Sequence, residues 1–193
     1  MITSKKEYLH YLQEDKRALQ IKHLSITSRI KEFLFPHPIW KFQKTLRKLE
    51  YYTNCKKGFF SGIYKNYLKL KFRRVSIRMG FSIPPNVFGP GLAIVHYGTI
   101  IVNSNSKVGK NCRIHACTNI GASGGKKAAP QIGDNVYIAP GAKIYGDIIV
   151  GNNVAIGANA VVNKSFPEDG ILIAGNPAQK IKEVNIKKII KHI

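Results

Sequence analysis

Acidic residues are scarce. Ten Asp and Glu stand against 31 Lys and Arg, a formal charge of +21 over 193 residues. Such a balance argues for an anionic partner: a nucleic acid, a membrane surface or a phosphorylated substrate. Cysteine is scarce too. Cys55, Cys112 and Cys117 are an odd number, which excludes a fully paired disulfide framework. The absence of a Cys-x-x-Cys pair argues against a thiolate zinc site. Free thiols suit a reducing compartment, so a cytoplasmic location is expected, with no metal. Long apolar runs are missing. No stretch approaches the 18 or so residues of a membrane span. The opening MITSKKEYLHYLQEDKR is charged and has no apolar signal core. Hydrophobic residues still make up 44%, enough for a core, so a largely disordered chain is excluded.

The charge is uneven. Residues 1–80 hold 19 Lys/Arg and 5 Asp/Glu, +14; residues 81–193 hold 12 and 5, +7. Composition changes at the same place. Lys, Leu, Tyr, Phe and Arg dominate before Gly80, and Gly, Asn, Ala, Ile and Val after it, the vocabulary of short strands and turns. A basic helical segment is therefore expected over 1–80, a repeat domain over 81–170 and a tail over 171–193. Apolar spacing predicts a first helix around Tyr8–Leu19, a second near 24–35, a third from Ile39 to about Tyr52 and a fourth from about Ser61 to Met79. The fourth sets Lys65, Lys69, Lys71, Arg73, Arg74 and Arg78 beside Leu68, Leu70, Phe72, Val75 and Ile77. It reads either as a packed helix with a solvated basic face or as a surface for anionic lipid or phosphate. The ending VNIKKIIKHI reads as a short basic helix that caps the domain or lies on the membrane.

A six-residue repeat organises the rest. Val102, Val108, Ile114 and Ile120 stand six apart. After a gap the frame resumes with Ile132, Ile138, Ile144, Val150, Ile156 and Val162. Small or apolar residues such as Ser106, Cys112, Thr118, Val136, Ala142, Val154 and Ala160 precede many of them by two. Period six fits neither an amphipathic helix nor a hairpin. It fits a triangular coil in which each of three short strands buries one aliphatic residue and then turns on Gly or Asn, residues that tolerate positive φ. Stacked at ~4.8 Å, such coils form a left-handed parallel β-helix, so the fold class is mainly β.

The segments IPPNVFGPGLAIVHYGTIIVN, VGKNCRIHACTNIGASGG, IGDNVYIAPGAKIYGDIIVGNNVAIGANAVV and IAGNPAQKIK resemble the hexapeptide-repeat acyltransferases. The nearest group is the serine acetyltransferase branch with its polysaccharide-locus members. The resemblance implies a homotrimer with a site between each pair of neighbouring β-helices, and acetyl transfer from acetyl-CoA to a hydroxyl. Whether two trimers pair through the helices into a dimer of trimers stays open.

The repeat breaks twice. Ile94 to Val102 is eight residues rather than six, and His96 lies in the insertion. Bulges in regular pairing are usually kept for a purpose. His96 also matches the catalytic histidine of the branch, and an imidazole can take a proton from a hydroxyl near neutral pH. Between Ile120 and Ile132 the middle frame position is Lys126, so GASGGKKAAPQ is expected to be an extruded loop. Gly121 and Ala122 open it and are candidate cofactor contacts.

Three departures bear on the acceptor. The resemblance places an Asp directly before the catalytic histidine, where Val95 stands. It places a second histidine in the extruded loop, where Ala129 stands. It places an Asp that orients the catalytic imidazole at Ser82. These losses argue against L-serine. The expected acceptor is a sugar of a surface polysaccharide or its lipid-linked precursor, with L-serine as the alternative enzyme substrate. A non-catalytic basic protein that binds nucleic acid is disfavoured by His96 and by the lack of any nucleic-acid motif. Stepping back three frame positions places His115 over Val95 and beside His96, where it could bind the acceptor or tune the base. Pro140-Gly141-Ala142 and Gly157-Ala158-Asn159 stand 18 residues apart and match positions that touch coenzyme A in related enzymes. Lys164 and Lys180 are candidate phosphate contacts. The charge of 1–80, gathered by trimerisation, predicts peripheral association with an anionic inner membrane face.

Overall fold

A computed structural model describes residues 1–21 and 37–193. The helix expected near 24–35 falls outside them. Among the described residues three helices come first: α1 (Lys5–Ala18), α2 (Pro38–Cys55) and α3 (Phe59–Met79). Helix α1 opens on a capping box. The Ser4 hydroxyl accepts from the Glu7 N–H, which satisfies one orphan donor of the first turn, and the Glu7 carboxylate reaches back past the cap to accept from the Thr3 N–H. Helix α2 starts at Pro38, whose fixed φ suits a first helical position. Helix α3 ends on Gly80 in the left-handed conformation (φ 74°) and passes at once into the first strand, β1 (Phe81–Ser82).

From there the chain winds as the repeat predicts. The first sheet holds β1, β3 (Ile100–Val102), β6 (Thr118–Gly121), β9 (Lys143–Tyr145) and β12 (Val161–Val162). The second holds β4 (Lys107–Val108), β7 (Gln131–Ile132) and β10 (Ile149–Val150), with Phe88 and Phe166 bridging at its ends. The third holds β2 (Ala93–Ile94), β5 (Arg113–Ile114), β8 (Tyr137–Ile138), β11 (Ala155–Ile156), β13 (Ile171–Gly175) and β14 (Ala178–Glu183). Every pairing is parallel except β13–β14, an antiparallel hairpin that closes the stack. The chain visits the first, second and third sheets in rotation, making a left-handed β-helix. The frame aliphatics stack inside it, and Ile94, Ile114, Ile138, Ile156 and Ile173 form one fully buried column.

The edge between the second and third sheets turns on asparagine. Asn111, Asn135 and Asn153 adopt φ of 57°, 56° and 57°, a conformation Asn tolerates better than most residues. Each amide bonds the next along the axis: Asn111 Nδ2 donates to Asn135 Oδ1 and Asn135 Nδ2 to Asn153 Oδ1, both at 2.9 Å.

The helices are fastened to the first coil by a buried ionic cluster. Arg47 on α2 meets Asp15 on α1 at 2.8 Å and Glu50 at 3.1 Å. Its guanidinium also donates to the Phe88 and Gly89 carbonyls. Asp15 accepts from the Gly91 and Leu92 N–H groups, and Glu50 from Asn86. Burial alone would favour a neutral arginine, but the two carboxylates outweigh it and raise the Arg47 pKa.

The C-terminal segment corrects an expectation. VNIKKIIKHI forms only a three-residue 3₁₀ turn, Ile186–Lys188. Ile186 and Ile190 are buried against Ala155, whose outward methyl leaves room for them on the third sheet. The segment therefore lies along the flank of the coil, and the β13–β14 hairpin covers its end.

Candidate active site

The two breaks in the repeat mark two edges of the triangle. Ile94 pairs with Ile114, 20 residues on, where an undisturbed coil such as Val102 to Ile120 takes 18. The two extra residues lie between β2 and β3, at the edge joining the third and first sheets. His96 stands there, exposed, with no hydrogen-bond partner among the described residues. Val95 is half-buried and donates its N–H to the Ile114 carbonyl, which sets it over His115. The His96 and His115 ring centroids are 6.1 Å apart.

His115 is held on both sides. Its ring meets Tyr137 edge to face at 5.2 Å, and its Nε2 is buried with no partner among the described residues. Burial, reinforced by the Arg113 cation and by His96, pushes its pKa down to about 4. At neutral pH it is therefore an uncharged imidazole with a free ring nitrogen. A neutral neighbour does not oppose proton uptake by His96, as a second imidazolium would.

The cofactor candidates on this edge line up beneath the histidines. The Gly141 N–H donates to the Ala116 carbonyl and the Asn159 N–H to the Pro140 carbonyl, so Pro140-Gly141 and Ala158-Asn159 stand one coil apart as expected. Pro140 and Ala158 are exposed. Gly141 has φ 78°, and a Cβ there would lie 1.9 Å from Asn159 Oδ1. A strip of small residues beside an exposed histidine suits a long, narrow cosubstrate that must lie flat on the coil.

The second break lies across the first sheet. Ile120 pairs with Ile144, 24 residues on, so one whole hexad is extruded between β6 and β7. Gly121 ends β6, where its carbonyl accepts from the Gly146 N–H, and Ala122 follows, half-buried. Residues 123–127 are exposed. The far end is anchored: Ala129 is buried and accepts from Gln131 Nε2. Ser82 stands on the same side of the sheet, exposed on β1 opposite Ile101. No hydrogen bond joins Ser82 to His96 within one protomer. Lys164 follows β12 and donates to Gln179 Oε1 at 2.9 Å. Lys180 is paired with Glu168. Both lysines are exposed and would exchange these partners to reach a phosphate.

Residues 129–164 match the family model of the bacterial transferase hexapeptide (six repeats). A serine acetyltransferase of Staphylococcus aureus (strain Mu50) is 36% identical over 118 residues, covering 58% of this chain and 55% of that one. The crystal structure of a serine acetyltransferase from Brucella abortus strain S19 superposes with a TM-score of 0.71 at 26% identity, covering 94% of this chain and 72% of the other. The same enzyme in complex with coenzyme A gives 0.71, 26%, 94% and 70%. The coil, its two breaks and these likenesses show a left-handed β-helix of hexapeptide repeats that is similar to the serine acetyltransferases. The chain spans about half the length of the curated relatives it matches.

Proposed function

We propose that this chain is an acetyl-CoA-dependent O-acetyltransferase. The observation that carries the reading is exposed His96 in a two-residue insertion, above a neutral His115 and at the head of a strip of small residues. His96 takes the proton of an acceptor hydroxyl as the oxygen attacks the thioester carbonyl. A tetrahedral oxyanion forms, is steadied by backbone N–H groups near the extruded loop, and collapses. The C–S bond breaks, and the imidazolium returns its proton to the departing thiolate. His115, with its Nε2 buried, serves as a neutral neighbour to His96 rather than as a contact for the acceptor.

The acceptor has two readings. The matched relatives are named serine acetyltransferases, which favours L-serine over the polysaccharide sugar. The sugar reading is kept for one reason: Val95 and Ala129 offer no charged group where the branch holds an amino acid, and Ser82 offers none where the branch orients its histidine.

A homotrimer is part of the proposal. The loop and Ser82 stand across the first sheet from His96, so one protomer does not unite them. Edge-to-edge apposition of neighbours would. We place the reaction in the cytoplasm, with the basic helices against the inner membrane face.

The test is a screen with labelled acetyl-CoA, in which L-serine and a panel of sugars compete side by side, run on wild type and His96→Ala. A general base contributes about 10²–10⁴-fold, so the variant is expected to lose that much transfer to any acceptor. Near wild-type turnover would remove His96 from the mechanism. Saturable, efficient use of L-serine would settle the acceptor in its favour.

A further inference from the structure

Helix α3 has two faces of different purpose. Leu68, Ser76 and Met79 are buried, and Phe72 and Val75 pack on the main core. The opposite face carries Phe59, Phe60, Ile63, Tyr67, Leu70 and Ile77, each between 52% and 83% exposed. Turning ~100° per residue, these six fall in one sector roughly 100° wide that points away from the protein. An apolar stripe normally faces the core; this one faces out.

Its flanks are cationic. Lys71, Arg74 and Arg78 run along one side or within the stripe, and Lys69 and Arg73 along the other, all exposed. The helix contains no acidic residue. Beside the stripe, Lys41 of α2 joins Lys71, Arg74 and Arg78 around a cleft of about 260 Å³ floored by Tyr67, Leu70 and Val75. Long cationic stems can lie along apolar surface while their heads reach outward.

We propose that this face of α3 is a membrane-docking surface for an anionic phospholipid bilayer. The apolar row enters the headgroup boundary, and the flanking cations meet lipid phosphates. The inference deepens the location given above and rests on that reading, but not on the acyl transfer. Each alternative partner satisfies half of the face. A nucleic acid or acidic glycan would pair the cations and leave the phenylalanines in water. A second copy of the chain would cover the stripe and oppose each cation with its like. An anionic bilayer satisfies both, the combination that holds interfacial helices.

The experiment sediments the full chain with vesicles of phosphatidylcholine alone and of phosphatidylcholine mixed with phosphatidylglycerol, at low and high salt. Wild type is expected to pellet with the mixed vesicles at low salt and to be partly released by high salt. The double variant Phe59→Ser/Phe60→Ser is expected to bind at least ~10-fold more weakly, and Lys71→Gln/Arg74→Gln to bind more weakly with a smaller salt dependence than wild type. All these side chains are exposed, so circular dichroism should show unchanged folding. Acetyl transfer to a soluble acceptor is expected to be unchanged in the Phe59/Phe60 variant, which separates failure of docking from failure of the chemistry. Wild type remaining in the supernatant at low salt would overturn the proposal. So would undiminished vesicle binding by the Phe59/Phe60 variant, or a change in its subunit number by light scattering without a change in vesicle binding.

Discussion

Asp15 and Arg47 form an ion pair at 2.8 Å with both side chains fully buried. The pair joins two helices, and each partner reaches on to the backbone of the first coil. Removing one member of a buried pair leaves the other charged and uncompensated, at a cost of about 3–5 kcal/mol. Asp15→Ala should therefore lower the denaturation midpoint sharply, and the Gly91 and Leu92 amides lose their acceptor as well. A midpoint within a degree or two of wild type would show that the cluster is dispensable.

The depressed pKa of His115 makes a signed prediction about pH. The unfolded chain binds a proton at this site near the ordinary value of about 6.5, and the folded chain only near about 4. Between these values the unfolded state holds more protons, so stability falls as pH drops through the window. Carboxylates titrate there too, so the measurement is a difference. The fall between pH 6.5 and 4 should be shallower in His115→Gln than in wild type; equal slopes would mean that His115 titrates normally.

The asparagine ladder can be dissected at its middle rung. Asn135→Gly keeps the positive φ and loses the amide bonds to Asn111 and Asn153. Asn135→Ala loses both. The stability order should be Asn, then Gly, then Ala, with the last step about 1–2 kcal/mol. If Ala proved as stable as Gly, the positive φ at this edge would carry no cost.

Gly141 tests the small-residue strip. A methyl at this position meets the Asn159 side chain and faces the proposed cosubstrate path. Gly141→Ala is expected to raise the KM for acetyl-CoA several-fold while kcat changes little, and to cost about 1–2 kcal/mol of stability through its φ. An unchanged KM would move the cosubstrate to another edge.

Lys164 and Lys180 are surface cations whose present partners are exposed, and such pairs contribute little to stability. Lys164→Ala/Lys180→Ala should leave the denaturation midpoint unchanged and weaken acetyl-CoA binding, more so at low salt. Equal affinity of the double variant and wild type for acetyl-CoA at low salt would remove the lysines from phosphate recognition.

Period six was legible because each hexad buries one residue, and both departures from it fell where the coil bulges or extrudes. His96 beside His115 follows from that count alone. The ionic cluster was not legible. Asp15, Arg47 and Glu50 sit among other charges in helical sequence, and only the tertiary approach of α1, α2 and the first coil shows that they are internal. The ending VNIKKIIKHI has helical spacing at Ile186, Ile189 and Ile193, but the small outer residue Ala155 gives it a groove on the sheet, and docking there replaced the helix. In α3 apolar residues occur all around the axis, so periodicity could not say which of them face outward.

One residue, Gly80, separates α3 from β1, and Phe42, Phe72 and Phe81 interlock across that junction. Helix and coil consequently have no hinge between them. Any surface that holds α3 also sets the compass heading of the β-helix axis, and so fixes how far above that surface His96 travels. Lengthening the junction by a flexible residue pair would free the heading without touching either the helix face or the histidine. Reach to a surface-bound acceptor and chemistry on a dissolved one would then become separable properties of the same molecule.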